Sequence, residues 1–366
     1  MMKIKKDFSP KKLVLSLICI VSVLFLTGFS IYGNCIAKGL DSQNAASRWK
    51  KEGGVAQISC FFSVNGGMTQ ERIEEFEHAL DEALEAASIV VESPNANARL
   101  WADAYSASGK ISVTSNLATI TTDCIGIGGD FFLFHPLQLL SGSYFSGNDV
   151  MQDYCVLDRN AAWKLFGSND VAGQIVYIND VAHVVTGVVK HEENELYQAA
   201  GLDGSMIYVS YDSLKKYGTN NGINHFEIVM PNPVKDYAKK YVDGAIGVSK
   251  EEMEIVDNSA RFRVLNRIRH IQKLPARAMN GKAIIYPYWE NVARVKEDIS
   301  ARVMIWQLIF LGIVVIMISG MVITGWKHRK WSFKSILNGG KDKLIMQLSL
   351  NRIRRNYKKK RKEREC

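Results

Sequence analysis

Several signatures of catalysis are missing from this chain of 366 residues. There is no G-x-x-x-x-G-K-[ST] phosphate loop, so ATP hydrolysis cannot be assigned to it. His191-Glu192 begins like the zinc motif H-E-x-x-H, but Glu195 stands where the second histidine is required. Gly126-Ile127-Gly128-Gly129 lacks the last glycine of a dinucleotide fingerprint, because Phe131 stands there, and we interpret it as a turn. With no G-x-S-x-G elbow or Cys-His signature either, we predict that the chain is not an enzyme and holds no cofactor or metal.

Cysteine pairs with metal-site spacing are also absent, although the chain has six cysteines. Cys19 lies in a hydrophobic segment and Cys366 is the last residue. The other four, which are Cys35, Cys60, Cys124 and Cys155, allow three pairings into two disulfides, and the sequence does not decide among these and free thiols. Because Cys60, Cys124 and Cys155 lie in apolar, strand-like runs, we favour buried thiols for these three.

Charge is absent from two long stretches, Leu13–Gly33 and Val303–Gly325. Each is long enough to cross about 30 Å of hydrocarbon as a helix. A core helix of this length would normally keep a polar face, so we predict that Val303–Gly325 spans a membrane. For Leu13–Gly33 we favour a retained transmembrane helix over a cleaved signal peptide, whose apolar core is usually only about 7–15 residues long.

The net charge of +9 is divided unevenly along the chain. Residues 1–12 carry five lysines and residues 327–366 carry fifteen lysines and arginines, whereas the residues between them have a net charge of −7. Positive charge next to hydrophobic spans marks the cytoplasmic side of a membrane. We therefore predict a cell-membrane protein with two spans, both termini in the cytoplasm and residues 34–302 outside, and no binding of nucleic acid.

The outer region has the pattern of an α+β domain. Val55–Val64 is rich in β-branched and aromatic residues and predicts a strand. Thr69 is a candidate N-cap for a helix whose apolar residues recur at steps of three and four, namely Ile73, Phe76, Leu80, Leu84 and Ala87. Further strands are predicted at Ala98–Ala107, Lys110–Ser115 and Thr119–Ile127, with Ser108-Gly109 as the turn between the first two. This order predicts mixed sheets with helices on one face.

The next part of the chain alternates in the same way. A turn is predicted at Ser141-Gly142, a strand at Tyr154–Leu157, and a helix at Arg159–Phe166 that Gly167 ends. Asn179-Asp180 is predicted to join two strands in a hairpin, Gln174–Ile178 and His183–Val189. The remaining predicted elements are strands at Met206–Ser210, His225–Met230 and Glu252–Val256, and helices at Tyr211–Tyr217 and Pro233–Tyr241. The acidic run from His191 to Glu195 is interpreted as a solvated loop.

The order of segments between Asp130 and Lys190 resembles that of one known family. The segments that carry the resemblance are Phe131-Phe132, Leu140-Ser141-Gly142-Ser143-Tyr144-Phe145, Val156-Leu157-Asp158, Leu165-Phe166-Gly167, Asp170-Val171-Ala172-Gly173-Gln174 and Val184-Val185-Thr186-Gly187-Val188-Val189. They are similar to the extracytoplasmic core domain of ABC transporter permeases of the MacB/FtsX superfamily. The close resemblance covers about sixty residues, and the layout of span, outer domain and span extends it over most of the chain.

The resemblance and the hydrophobic pattern together predict seven segments. They are a basic N-terminus (1–12), a first transmembrane helix (13–33), a MacB-like outer domain (34–287), a stalk helix (288–302), a second transmembrane helix (303–325), a coupling-like cytoplasmic segment (326–350) and a basic tail (351–366). The stalk contains no glycine or proline and enters the second span directly, so we expect one continuous helix there.

The segment after the second span resembles the coupling helix by which these permeases contact their ATP-binding subunit. The resemblance implies a coupling role for Arg329, Lys330, Phe333, Ile336, Leu337, Gly339 and Gly340. The acidic residue of the family pattern is missing here, since Trp331-Ser332-Phe333 occupies its place. A helix lying on anionic lipids is the alternative interpretation, because it would use the same basic and apolar residues.

The leading functional hypothesis is a membrane subunit of an ABC-type transporter or mechanotransmission complex. The resemblance implies a cytoplasmic ABC ATP-binding subunit as partner, which would bind the ATP. Because such permeases usually carry two further spans and this chain continues into a basic tail, we expect a second permease chain or a homo-oligomer, together with membrane lipids. The alternative is a two-span binding or scaffold protein that recognises an extracytoplasmic peptide or envelope component without any ATPase.

Overall fold

A computed structural model describes residues 10–51, 53–91, 98–276, 282–327 and 344–350. The chain divides into two compact units. One consists of Met1–Thr27 and Gln307–Cys366, and the other of Gly28–Trp306. Each unit is described by itself.

The described residues form helices and strands whose bounds are as follows. The helices are α1 (Pro10–Lys38), α2 (Ala45–Trp49), α3 (Gln70–Ala86), α4 (Phe131–Phe134), α5 (Arg159–Phe166), α6 (Glu195–Ala199), α7 (Tyr211–Tyr217), α8 (Tyr237–Ala245), α9 (Val264–Lys273) and α10 (Tyr288–Lys327). The strands are β1 (Val55–Phe62), β2 (Ala102–Thr114), β3 (Thr119–Gly129), β4 (Leu139–Gly142), β5 (Tyr154–Asp158), β6 (Ile175–Ile178), β7 (Val181–Val189), β8 (Met206–Ser210), β9 (Thr219–Asn220), β10 (His225–Pro231) and β11 (Met253–Asp257). Residues 344–350 are also helical.

The strands of the larger unit form one mixed sheet. Its main path runs β11-β1-β10-β2-β3-β8-β5-β7-β4, and β6 and β9 pair at its side, both with β2. The pairs β3 with β8 and β5 with β7 are parallel, and the other pairs are antiparallel. The α+β class predicted from the sequence is therefore confirmed.

Both faces of this sheet are covered. Successive residues of β10 alternate between the two faces, with Phe226 and Ile228 on one side and Val229 on the other. The first side packs against α3, α5, α7 and α8, and the second packs against α2, α4 and the first turn of α10. Helices are thus not restricted to one face, because the strands carry buried residues in both directions and both sets need a cover.

Local signals in the sequence agree with several element boundaries. The Thr69 side chain accepts a hydrogen bond from the Arg72 amide and caps α3. Gly167 ends α5 at a φ of 67°, in the left-handed conformation that glycine adopts without strain. Asn179 and Asp180 both have positive φ angles and form the hairpin between β6 and β7.

Three predicted turns are wrong, because glycines that we assigned to turns lie within strands. β2 continues through Ser108-Gly109, and a Cβ on Gly109 would lie 2.3 Å from the carbonyl oxygen of Thr219 in β9. The Gly126-Ile127-Gly128-Gly129 segment belongs to β3, where a Cβ on Gly128 would lie 2.0 Å from the Tyr105 ring. Ser141-Gly142 pairs with β7 after a register shift. In all three places, glycine permits a close approach or an irregular strand.

Other differences concern short elements. The prediction of a helix at Pro233–Tyr241 places it about a turn too early, since α8 begins at Tyr237. Residues 191–194 form a loop as predicted, but His191 is buried in it, and Asn194 caps α6, which begins at Glu195. The helices α2 and α9 and the strand β9 were not predicted. The elements α2 and β9 are short, whereas α9 has apolar residues at a helical period, Val264, Ile268 and Ile271, that we did not interpret.

Buried free thiols are confirmed at the three internal positions. Cys60, Cys124 and Cys155 are buried and unpaired, and Cys19 and Cys35 are also free. Burial raises the pKa of all three internal thiols, to about 12 for Cys155. They are therefore neutral core groups of the sheet rather than reactive thiols.

The smaller unit contains the apolar parts of α1 and α10. Both helices are long and apolar enough to cross a membrane, and the residues of their most apolar windows are almost entirely exposed. Within this unit, the rings of Phe25 and Phe310 stack at 4.9 Å. The two helices fit a membrane protein, and the limits and sidedness of the seven segments stay predictions.

Candidate functional site

The coupling residues proposed from the sequence lie outside the described part of the chain. They are Arg329, Lys330, Phe333, Ile336, Leu337, Gly339 and Gly340. The structure therefore neither brings them together nor separates them. The functional geometry that can be described is at the other end of α10, within the larger unit.

A buried arginine holds the first turns of α10. Arg261, in the loop after β11, donates to both oxygens of Glu290, at 2.7 and 2.8 Å. It also donates to Glu297 at 3.2 Å and to the side-chain oxygen of Gln43 at 3.1 Å. The Arg261 and Glu290 side chains are 2% and 0% exposed, so the paired, two-pronged contact is needed to offset the cost of burying two charges.

A second arginine extends this contact to the edge of the sheet. Arg294 donates to Glu290 at 3.0 Å and to Glu254 of β11 at 2.6 Å. Its guanidinium also lies 3.6 Å from the centre of the Tyr286 ring, and the Tyr286 hydroxyl donates to Glu254 at 2.6 Å. We call the five charged residues Arg261, Glu290, Arg294, Glu254 and Glu297 the stalk anchor.

Aromatic packing supports the same turn of α10. Trp289 lies with its ring 5.8 Å from that of Phe131 in α4, and 4.3 Å from that of His135. The hydroxyls of Tyr288 and Tyr208, on β8, are 3.2 Å apart. Burial raises the pKa of Tyr288 to about 12, so this hydroxyl stays protonated. The start of α10 is therefore inserted into the core of the second face.

Polar contacts continue along the next turns of α10. Lys296 donates to the carbonyl oxygen of Gly39, just after α1, at 2.8 Å. Arg267 of α9 donates to the carbonyl oxygen of Ser300 at 2.9 Å. These contacts fix the predicted stalk, residues 288–302, to α9 and to the end of α1 within the larger unit.

The charges of the stalk anchor stabilise one another. Burial alone would lower the pKa of Arg261, but Glu290 and Glu297 outweigh it and raise this pKa. Burial would likewise raise the pKa of Glu254, but Arg294 and two hydrogen bonds lower it. The contacts thus favour the charged forms of Arg261 and Glu254, and the directional bonds of the anchor define one position for α10 on the domain.

The sequence carried a signal for this anchor that we did not use. Glu290, Arg294 and Glu297 are spaced by four and three residues, which puts them on one face of a helix. A charged stripe at such spacing is usually solvated, and the partner Arg261 lies on a loop with no motif of its own. Only the fold brings the two together.

Two histidines and a glutamate form a second polar group, which we call the histidine cluster. His135 follows α4, and His225 and Glu227 lie two residues apart on β10, so that both face α4. Their ligand atoms lie within 4.8 Å of one another. Burial lowers the pKa of His225 to about 4, and the two histidines lower that of Glu227 although burial opposes them. The sequence, from which we predicted no metal site, did not reveal this cluster.

The contact between His191 and Asp158 has a structural role. His191 lies 2.7 Å from Asp158, and the same carboxylate accepts hydrogen bonds from the amides of Ala161 and Met206. Asp158 is the N-cap of α5, so its oxygens are occupied in holding α5 and β8. This geometry does not present a nucleophile to a substrate.

The domain matches a known protein family. The family described as the MacB-like periplasmic core domain matches residues 17–239. The macrolide export ATP-binding/permease protein MacB of Chromobacterium violaceum is 33% identical over 76 residues, which are 20% of this chain and 12% of that protein. The protein of the same description from Haemophilus ducreyi is 31% identical over 91 residues, 24% of this chain and 13% of that protein. The matches thus span about an eighth of the length of these relatives.

Two solved structures are also similar to parts of this chain. The periplasmic region of MacB from Actinobacillus actinomycetemcomitans is 17% identical, with a TM-score of 0.39, and the match covers 62% of this chain and 95% of that one. The extracellular domain of the noncanonic ABC-type transporter YknZ from Gram-positive bacteria is 18% identical, with a TM-score of 0.37, and the match covers 55% and 99% of the two chains.

Proposed function

Because the chain belongs to the family with the MacB-like periplasmic core domain, we propose that it is a membrane component of an ABC-type transporter or mechanotransmission complex. In this proposal the larger unit faces outward. A separate cytoplasmic subunit binds and hydrolyses ATP, and α10 connects the larger unit to that subunit. The coupling residues are Arg329, Lys330, Phe333, Ile336, Leu337, Gly339 and Gly340.

The observation that carries the proposal is the way in which α10 is held. The helix runs without interruption from Tyr288 to Lys327, and the stalk anchor binds its first turns to the domain through buried charge pairs. A membrane anchor alone needs only an apolar helix and a linker, and a flexible linker would absorb any movement. A helix fixed at its outer end by directional bonds is suited to carry a displacement between its two ends.

The charge distribution supports the same orientation. The basic residues cluster beside the two apolar segments at both ends of the chain, as on the cytoplasmic side of membrane proteins. An ATP-binding partner would meet the segment that follows α10. The anionic inner leaflet would attract the basic tail, at about 1 kcal/mol per lysine or arginine near the surface.

Affinity purification of the full-length chain from membranes of its own host tests the proposal. The tagged chain is expected to capture an ATP-binding protein, and deletion of residues 331–347 is expected to abolish the capture while membrane insertion is retained. Deletion of the basic tail, residues 351–366, is the matched control and should leave the capture intact. Unchanged capture after deletion of residues 331–347 would refute the coupling assignment, and the absence of any ATP-binding protein would favour a scaffold.

A further inference from the structure

From the histidine cluster we propose a zinc site within the domain, formed by His135, His225 and Glu227. The proposal does not depend on the transporter assignment, because it rests only on the geometry of the larger unit. The site would be structural, since its three side chains are buried under the first turn of α10.

Among the described residues, four buried polar atoms of these three side chains have no hydrogen-bond partner. Within the part of the chain that the structure describes, both ring nitrogens of His135, Nε2 of His225 and Oε1 of Glu227 make no hydrogen bond. Leaving a buried polar atom unpaired costs about 1–3 kcal/mol, more for a charged group. Several such atoms at one point are therefore expected to have a shared partner.

The distances fit a metal ion as that partner. Nε2 of His135 lies 2.5 Å from Oε1 of Glu227 without the angle of a hydrogen bond, and Nε2 of His225 lies 3.9 Å from Oε2. Ligand atoms about 2.0–2.1 Å from a tetrahedral zinc are separated by roughly 3.3 Å. The two observed separations involve different oxygens of Glu227 and lie on either side of this value, so modest side-chain movements would bring both imidazoles and the carboxylate around one ion.

The surroundings hold the ligands as outer-shell groups do in metal sites. Oε2 of Glu227 accepts hydrogen bonds from Gln57 at 3.2 Å and from Ser59 at 3.1 Å. Nδ1 of His225 lies 3.3 Å from the Ser106 hydroxyl, which leaves Nε2 directed into the cluster. Such contacts fix the orientation of a ligand and the tautomer of a ligating histidine.

The donor atoms select the class of metal. Two imidazole nitrogens and a carboxylate suit zinc, whereas magnesium and calcium prefer oxygen ligands alone. The second oxygen of Glu227 or a water molecule would supply the fourth donor. A bound ion would join α4 to β10 directly beneath Trp289, whose ring lies 4.3 Å from that of His135 and 5.5 Å from that of His225.

Metal analysis of the full-length chain in detergent tests this site. The chain is stripped with a chelator, dialysed against zinc or cobalt, and analysed by elemental mass spectrometry, with a zinc-dependent rise of the thermal unfolding midpoint as a second readout. About one zinc per chain is expected, together with the visible absorption bands of four-coordinate cobalt. Glu227→Gln and His135→Asn should weaken binding at least about tenfold.

His183→Asn is the matched control, because His183 is also buried but bonds Ser213 and Val181. It should keep the metal. If a ligand variant fails to fold, the wild-type chain still decides the question. A folded wild type with less than about 0.1 zinc per chain and no zinc-dependent shift would overturn the proposal, as would ligand variants that bind as tightly as the wild type.

Discussion

The two faces of the sheet are built from different kinds of residue. On the face that α3, α5, α7 and α8 cover, the core is almost entirely hydrocarbon, with Phe76 and Phe226 edge-to-face at 5.5 Å. On the face that α2, α4 and α10 cover, the buried groups include Gln57, Glu227, Arg261 and Glu290. Both faces bury apolar area, but among the described residues only the second also buries ion pairs such as that of Arg261 and Glu290.

This difference suggests that the stability of the domain and the position of α10 depend on different residues. Apolar burial is not directional, so it stabilises the domain without selecting one exact arrangement of a helix. A buried, two-pronged ion pair adds little net stability over an apolar pair of the same shape, but it is satisfied in only one geometry. We therefore expect the first face to determine how stable the domain is, and the second to determine where α10 lies on it.

The largest expected effect is on the apolar face. Phe76→Ala removes a fully buried ring of α3 and should lower the free energy of unfolding by about 4 kcal/mol. Thermal or chemical unfolding of the detergent-solubilised chain measures it. Leu117→Ala, at a side chain that is 74% exposed, should change it by less than about 0.5 kcal/mol. Equal effects of the two changes would contradict the assignment of this core.

A single break in the stalk anchor is expected to cost somewhat less. Arg261→Met leaves Glu290 buried with only Arg294 as partner, so the free energy of unfolding should fall by about 2–3 kcal/mol. Adding Glu290→Leu should restore more than half of the loss, because the uncompensated charge is then gone. Arg99→Met, at an exposed pair with Asp130, is the control and should have little effect. If the chain with both Arg261→Met and Glu290→Leu were less stable than the chain with Arg261→Met alone, the ion pair would contribute more than position, contrary to the difference drawn between the two faces.

Asp103 is a polar exception on the apolar face. Burial raises its pKa well above the ordinary value, and the neighbouring Glu77 raises it further. The pKa of Asp103 is therefore higher in the folded than in the unfolded chain. Its contribution to the free energy of unfolding is fully present below about pH 4 and is lost as the pH rises through the folded-state pKa. Asp103→Asn should therefore stabilise the domain by about 1 kcal/mol at neutral pH and lose this advantage in acid.

Unfolding midpoints of the Asp103→Asn chain between acidic and neutral pH measure this effect. Asp123→Asn, at a more exposed carboxylate paired with Lys110, is the control and should not change the pH dependence in this way. A variant that is no more stable than the wild type at neutral pH would show that Asp103 is not an unfavourable buried charge.

The smallest expected effect concerns the cap of α3. Thr69→Ala removes the hydrogen bond from the Arg72 amide and should lower the free energy of unfolding by about 0.5–1 kcal/mol. Thr69→Ser, which keeps the hydroxyl, should recover most of it. The same unfolding measurement distinguishes them, and equal losses would mean that packing of the methyl group, rather than the cap, matters here.

Local chemistry explains which parts of the fold were predictable. Helix caps and hairpin turns depend on contacts between residues that are close in the sequence. The sequence therefore indicated the ends formed by Thr69, Gly167 and Asn179-Asp180 reliably. The turns predicted at Gly109 and Gly128 were wrong, because the reason for glycine lies elsewhere in the chain. A side chain at Gly109 would collide with Thr219, and one at Gly128 would collide with Tyr105. Turn propensity was outweighed by close packing between strands.

The candidate site was less predictable for the same reason. Glu290, Arg294 and Glu297 are visible as a charged stripe, but their burial depends on Arg261 and on β11. His225-x-Glu227 has the spacing of one strand face, yet His135 is 90 residues away in the chain. Residues separated this far in the sequence cannot be recognised as neighbours without the fold.

Hydrogen–deuterium exchange with and without nucleotide tests the central claim, that α10 transmits a change from an ATPase to the outer domain. In the complex with the captured ATP-binding protein, a non-hydrolysable ATP analogue should alter the exchange of residues 288–302 and of α4. Two glycines inserted after Arg302 should abolish the change while the partner is retained, because glycine weakens a helix by about 1 kcal/mol per residue. Unaltered exchange in these segments, with nucleotide bound to the partner, would contradict the account.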